Sequence, residues 1–431
     1  MMKKGNFIGL LPLIFFLVLY MSTGIITGKF DSMPLLLGFV LSAGFALLLD
    51  KKGEKTSLND KIDIFAKAGG DGTIILMVVI FLLAGAFYSI ADAMGAVNST
   101  VNLGLTFLPS NMILPGLFLV GCVLSFSMGT SMGTITALGT IGVGISTQTG
   151  ISLPLVMATV VGSALFGDNL SFISDTTIAA IRTQGVESRD KFKANLMTVL
   201  PAVIITVIIL TFLSTGNAEE LERDFNLVRT LPYVAIIASA LLGVNVMVTL
   251  GLGIGTGAVI GLAYGDFNVV ELFGVLQRGM GWMEDLAIIA IIVGGLVGLM
   301  TYYGGIDFLL EKVTSRVKTK KGAQLGMASL VSLIDVATTN NTIAILAAGP
   351  LAKDLSEEYD IDPKRTASLL DVFSSGFQGI TPYAGQLLVA AGIAGISPME
   401  IVPYSFYSFL MIIFGLVFIF FDISKITKKN K

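Results

Sequence analysis

Apolar residues run along this chain in long blocks divided by short polar stretches, without the period-two alternation of membrane strands. In the first half the blocks predict helices at 7–27, 33–49, 73–90, 113–126, 135–145, 153–166 and 196–213. In the second they predict helices at 231–250, 251–264, 286–303, 323–334, 342–352, 367–377, 387–396 and 401–421. A bilayer-crossing helix needs about 20 apolar residues. Several blocks fall short of that, so broken helices and re-entrant hairpins are expected among them. The fold class expected is an all-α polytopic membrane protein with about 10–12 membrane segments.

Composition agrees. Of 431 residues 54% are hydrophobic and 13% charged, roughly half the charged share of soluble proteins. Lys3 and Lys4 precede an apolar run that passes Tyr20 and reaches Ile26 without a convincing cleavage site, so an uncleaved first span is expected. Cys122 stands alone, which excludes an intrachain disulfide and a cysteine metal cluster. The chain has no histidine, so proton transfer falls to carboxylates.

Basic residues gather in discrete clusters, as they do on cytoplasmic loops. Lys51, Lys52, Lys55, Lys61 and Lys67 form one; Arg182, Arg189, Lys191 and Lys193 another; Lys312, Arg316, Lys318, Lys320 and Lys321 a third. Lys353, Lys364 and Arg365 follow, and Lys425, Lys428, Lys429 and Lys431 end the chain. The stretch 217–229 is mainly acidic, with Glu219, Glu220, Glu222 and Asp224. Both termini are therefore expected in the cytoplasm, with the chain in the cytoplasmic (inner) membrane.

A shift of about 208 residues superposes Thr130, Thr134, Ile135 and Leu138 on Thr338, Thr342, Ile343 and Leu346. At the same shift basic loops fall on loops without Lys or Arg, and the reverse. Charge that inverts at a constant offset is what two halves of opposite orientation produce, an arrangement common in secondary transporters. The expected organisation is a first inverted repeat over 1–217, a loop over 218–230 and a second inverted repeat over 231–431.

Each half has two polar breaks in apolar sequence. In the first, the stretch from Ser125 with Thr130, Ser131 and Thr134 precedes Gly167-Asp168-Asn169-Leu170-Ser171-Phe172-Ile173-Ser174-Asp175-Thr176-Thr177. In the second, Asp335 with Thr338, Thr339, Asn340, Asn341 and Thr342 precedes Asp371 with Gln378 and Thr381. Carboxylates at membrane depth are costly unless they meet a cation, a proton or a wet cavity. Together with hydroxyls and amides they form a set of hard oxygen ligands suited to a small cation such as Na⁺. Asp168 and Asp175 lead as cation or proton ligands, with Asp335 and Asp371 next. Glu284, Asp285, Asp92 and Asp307 read as helix starts or interfacial residues, and Arg182 as a cytoplasmic anchor. Gly251-Leu-Gly-Ile-Gly-Thr-Gly has neither dinucleotide spacing nor a β-α-β setting, and no phosphate-binding loop with its lysine is present.

The Gly167–Thr177 stretch resembles the Gly-Asp-Lys-Leu-Ser-Pro-Leu-Ser-Asp-Thr-Thr signature of NhaC-type sodium/proton antiporters. Gly129-Thr-Ser-Met-Gly-Thr is similar to that family's Gly-Thr break. Here Asn169 replaces the signature's Lys and Phe172 its Pro, so one intramembrane positive charge is missing. The resemblance implies inverted repeats, paired hairpins, a transport domain sliding against a scaffold, and a homodimer. By matching position it implies Asp168, Ser171, Ser174, Asp175 and Thr176 as ion-site residues.

The function expected is secondary antiport of Na⁺ against H⁺, with Asp168 and Asp175 binding either ion by turns. The alternative is Na⁺- or H⁺-coupled carriage of an amino acid or small organic anion read by Asn340, Asn341, Gln378 and Thr381. Inverted carboxylate-bearing cavities argue against a channel, and the lack of a nucleophile–base pair argues against an enzyme. Expected partners are the lipid bilayer, a small cation and a small organic solute, with no nucleic acid. No cofactor is expected beyond Na⁺ and H⁺ as coupling ions.

Overall fold

Lipid offers no partner to a backbone amide, so long apolar blocks satisfy their hydrogen bonds internally as helices. The computed structural model describes residues 5–27, 32–51, 56–107, 109–172, 174–214, 224–242, 244–314 and 317–421, and among them it is helical without a β-strand. Lys3, Lys4, Lys52, Lys55, Arg316, Glu219, Glu220, Glu222, residues 218–223 of the loop 218–230 and the C-terminal lysines lie outside the described residues.

The first half consists of α1 (Leu11–Thr27), α2 (Leu35–Leu48), α3 (Leu58–Gly69), α4 (Gly72–Ala93), α5 (Ala96–Phe107), α6 (Ile113–Met128), α7 (Ser131–Thr149), α8 (Leu153–Leu170), α9 (Asp175–Gln184) and α10 (Ser188–Leu213). The second consists of α11 (Leu231–Leu241), α12 (Val246–Tyr264), α13 (Val269–Gly281), α14 (Glu284–Tyr302), α15 (Gly305–Thr314), α16 (Lys320–Thr338), α17 (Asn341–Glu358), α18 (Pro363–Gln378), α19 (Gly385–Ala394), α20 (Pro398–Ile401) and α21 (Phe406–Phe421). Six stretches among the described residues are long and apolar enough to cross a membrane, and four shorter apolar helices accompany them. On α10, Leu200, Ile204, Ile208 and Phe212 are exposed at every fourth position, one apolar stripe along the helix.

Three features differ from the pattern read along the sequence. The short amphipathic helices α3, α5, α13 and α15 stand where charged or mixed composition suggested loops. The block 231–250 is two helices, because Asn245 accepts from the Met247 amide at 2.9 Å and starts α12 afresh. Lys191 lies inside α10 and is 1% exposed, so it does not belong to a cytoplasmic loop cluster.

Helix breaks recur in the two halves. Gly129 (φ 64) ends α6 and Thr339 (φ 54) ends α16; Thr130 caps α7 and Asn340 caps α17. Gly150 and Asp360 turn after α7 and α17 with φ 72 and 48, and Gly185 and Gly395 end α9 and α19 with φ 68 and 64. The Ser146 hydroxyl donates to the Ile151 carbonyl at 2.6 Å, as Ser356 does to Ile361 at 2.7 Å. The members of every pair are 210 positions apart. Residue identities match at a shift of 208, whereas the caps and positive-φ residues recur at 210.

Helices α4 and α13 cross where glycine faces glycine. A Cβ on Gly85 would lie 2.1 Å from the Gly279 carbonyl oxygen, and one on Gly279 would lie 2.1 Å from that of Gly85. Backbone cannot yield as a side chain does, so Gly85→Ala or Gly279→Ala is expected to cost about 1–3 kcal/mol by overpacking, more than the helix propensity gained. Thermal melting of the purified variants in detergent checks this; an unchanged or raised melting temperature would contradict it.

Candidate functional site

Two helix starts converge on one carboxylate. The sequences Gly129-Thr130-Ser131 and Thr339-Asn340-Asn341 break their helices and begin new ones with polar caps: Thr130 accepts from the Gly133 amide at 3.5 Å, Asn340 from the Ile343 amide at 3.0 Å. Both new helices point their N-terminal ends at Asp168, on the last turn of α8 and 4% exposed. Ser131 bonds the Asp168 carboxylate through its hydroxyl and its backbone amide. The Asn341 amide donates to Asp168 Oδ2 at 3.4 Å. Helix N-termini carry partial positive charge, which favours an anion there.

These residues line a cavity of about 520 Å³ bounded on one side by Leu76, Met77 and Ile80 of α4. Thr130, Ser131, Asp168, Asp175, Thr176, Asn340, Asn341 and Gln378 also form its wall. A smaller cavity of about 280 Å³, lined by Thr338, Thr339 and Tyr383 among others, shares Met77, Thr339, Asn340 and Ile343 with it. Asp175 is exposed on the first turn of α9, so it faces the cavity and is not a buried carboxylate as its apolar flanks implied. An amide chain closes the far side: Gln378 Nε2 donates to Gln386 Oε1 at 2.8 Å and to the Thr339 carbonyl at 3.0 Å, and Gln386 Nε2 donates to Ser131 Oγ at 3.1 Å.

Behind the cavity, the C-terminal end of α8 is held by side chains. The Asp168 carbonyl accepts from Thr176 Oγ1 at 2.7 Å and Ser174 Oγ at 3.1 Å. The Asn169 carbonyl accepts from Lys191 Nζ at 2.8 Å and Asn195 Nδ2 at 2.7 Å. Lys191 also forms an ion pair at 3.0 Å with Asp371 Oδ2, both groups essentially without solvent exposure. Asn195 and Asn169 donate to the same oxygen, the latter at 3.3 Å, and Tyr407 donates its hydroxyl to Asn169 Oδ1 at 3.0 Å. A cation at a helix C-terminus meets the negative end of the dipole and otherwise unpaired carbonyls.

The sequence candidates thus separate into two groups. Thr130, Ser131, Asp168, Asp175, Thr176, Asn340, Asn341, Thr342 and Gln378 line the larger cavity, and Thr338 and Thr339 touch the smaller one. Asn169, Ser171, Ser174, Thr134, Asp371 and Thr381 are absent from both walls and sit in the core, where they bond to other protein groups. Asp335 is fully buried with both carboxylate oxygens unpartnered. Sequence reasoning missed Lys191, Asn195, Tyr407 and Gln386. A signal for the first two exists: Lys191, Asn195 and Thr198 fall on one buried face of α10, whereas Arg189 and Lys193 are exposed.

A profile of the Na⁺/H⁺ antiporter family matches residues 6–215 and 225–423. The chain is 25% identical over 378 residues to the malate-2H(+)/Na(+)-lactate antiporter of Bacillus subtilis (strain 168), covering 80% of each chain. It is 24% identical over 376 residues to the Na(+)/H(+) antiporter NhaC of the same organism, covering 78% of this chain and 81% of that one. It is 23% identical over 432 residues to the arginine/ornithine antiporter ArcD of Halobacterium salinarum, covering 91% and 87%.

Removing one partner of a buried ion pair strands the other charge, at about 3–5 kcal/mol. Lys191→Met and Asp371→Asn are each expected to lower the melting temperature markedly, and the double variant to lose less than the sum of the two. A double-mutant cycle from melting curves in choline chloride measures the coupling; additive losses would count against a pair at this position.

Proposed function

The chain belongs to the Na⁺/H⁺ antiporter family, and on that footing we propose that Asp168 is the group at which Na⁺ and H⁺ compete during exchange. The observation that carries this is the setting of its carboxylate. It stands on the cavity wall between two helix N-termini, while Lys191 bonds its backbone carbonyl and leaves the side chain to the cavity. Asp175 faces the same space and supplies a second carboxylate, with Thr130, Ser131, Thr176 and Asn341 as neutral oxygen donors. Na⁺ and H⁺ cannot both hold one carboxylate, so occupancy by either excludes the other, and alternating access carries each in turn. Asp335 enters this reading as a second carboxyl able to hold a proton, since neither of its oxygens is engaged.

The cavity lies between α4 and the helix breaks, which supports a boundary where one part of the protein slides past another. The two halves are proposed to be of opposite orientation; support comes from the inverted loop charge and the 210-residue recurrence of the breaks. Charge distribution supports the cytoplasmic membrane with both termini inside. Assembly as a homodimer is carried over from the family resemblance.

A second reading rests on cavity size. About 520 Å³ exceeds what a bare ion occupies, and two helix N-termini with the amides of Gln378, Gln386 and Asn245 suit a small carboxylate. The names of the relatives from Bacillus subtilis and Halobacterium salinarum refer to organic acids and amino acids, which lends this reading support.

In proteoliposomes with an imposed pH gradient, Asp168→Asn and Asp175→Asn are each expected to abolish Na⁺-dependent pH change. Exchange at the wild-type rate in Asp168→Asn would overturn the assignment. For the second reading, malate, lactate and arginine are titrated against protein melting in Na⁺ and in K⁺. A stabilisation that requires Na⁺ would identify coupled carriage, and its absence with all three would leave plain cation exchange.

A further inference from the structure

Lys191 is surrounded as a bound metal ion would be. Its ammonium lies 2.6 Å from Thr177 Oγ1, 2.8 Å from the Asn169 carbonyl, 3.0 Å from Asp371 Oδ2 and 3.5 Å from the Asp168 carbonyl. All are hard oxygen donors, drawn from a helix C-terminus, a hydroxyl and a carboxylate. A further buried oxygen of the set, Asp371 Oδ1, has no partner, nor has Oδ1 of Asn195, whose amide donates to the Asn169 carbonyl and to Asp371. The set holds more acceptors than the ammonium engages. It is separated from the cavity by little more than one residue, since Asp168 offers its carboxylate to the cavity and its carbonyl to Lys191.

We infer that Lys191 is a tethered cation: its ammonium fills an oxygen cage that otherwise binds a free monovalent metal ion, and so keeps a second cation site permanently occupied. The cage itself is independent of the exchange reading; only the consequence for ion stoichiometry rests on it. The inference also accounts for Asn169. The family signature has a lysine at that position, and here a positive charge reaches the Asn169 carbonyl and the Asp371 carboxylate from 22 residues further along the chain. The Asn169 side chain is itself aimed at Asp371, so a lysine at 169 could serve the cage in place of Lys191.

The test is the melting temperature of the purified full chain in NaCl against choline chloride at equal ionic strength. The proteins compared are the wild type, Lys191→Ala, Asp168→Asn and the double variant Asp168→Asn/Lys191→Ala. Lys191→Ala is expected to melt lower than wild type in choline and to rise in Na⁺ by a larger shift than wild type shows. That added shift is expected to persist in the Asp168→Asn background, because it belongs to the cage and not to the cavity. A Na⁺ response in Lys191→Ala no larger than that of wild type overturns the inference. Wild type without any Na⁺ response, beside a Lys191→Ala that responds, instead counts against the cavity reading and leaves the cage standing. Should Lys191→Ala fail to fold in both salts, the charge-relocated variant Asn169→Lys/Lys191→Asn decides. A melting temperature near wild type supports the inference, and a loss like that of Lys191→Ala overturns it.

Discussion

Breaking a helix inside a membrane leaves amides and carbonyls that lipid cannot satisfy, and each must find a partner within the protein. The end of α8 is where this constraint is most demanding. Its carbonyls at Asp168 and Asn169 are taken by Ser174, Thr176, Lys191 and Asn195, and the charge that Lys191 introduces is balanced by Asp371. With these contacts made, α8 stops at a defined height and Asp168 is presented to the cavity. The ion pair thus stands behind the candidate site, outside the cavity wall, and the contacts on the cavity side are laid out in front of it.

The helix breaks recur at a spacing of 210 residues, but the charge does not. At the 210-residue register Ser131 corresponds to Asn341, Asp168 to Gln378 and Thr176 to Gln386. Ser131 bonds Asp168 and also receives Gln386; Asn341 bonds Asp168 from the other half. The glutamines of the second half occupy the places of the acid and hydroxyl of the first, and Gly385 stands where the first half has Asp175. Negative charge on the cavity wall therefore comes from one half, while both halves contribute helix N-termini. The two carboxylates of that half, Asp168 and Asp175, thus share the wall with helix N-termini from both halves, whose partial positive charge offsets part of theirs.

Much of this was legible in the sequence, for identifiable reasons. Asp168 stood out because a carboxylate within an apolar block is costly, and the Thr130 and Asn340 breaks because polar caps interrupt such blocks. Asp175 was equally visible, yet its exposure depended on where α9 turns back, which no local pattern encodes. Lys191 was hidden by its neighbours: Arg189 and Lys193 made it look like one of a basic loop, and only the 3.6-residue period separates the buried face from the exposed one. The amphipathic helices α3, α5, α13 and α15 were missed because one apolar stripe on a short helix resembles a mixed loop when read for membrane length.

The substitution at 169 shows why a local signature is an incomplete guide to a buried charge. Read along the chain, Asn169 removes a cation from the motif and unbalances the site. In the fold the carbonyls at the end of α8 and the Asp371 carboxylate are served by Lys191, while Asn169 becomes a linker among Asp371, Tyr407 and the end of α8. Electrostatics constrains the total charge around the break and the distance at which it acts, not the sequence position that supplies it. A residue one helix away can therefore satisfy what the motif omits, provided its side chain is long enough and its helix is packed against the break. Lys191 meets both conditions, since α10 carries it, buried, against the last turn of α8.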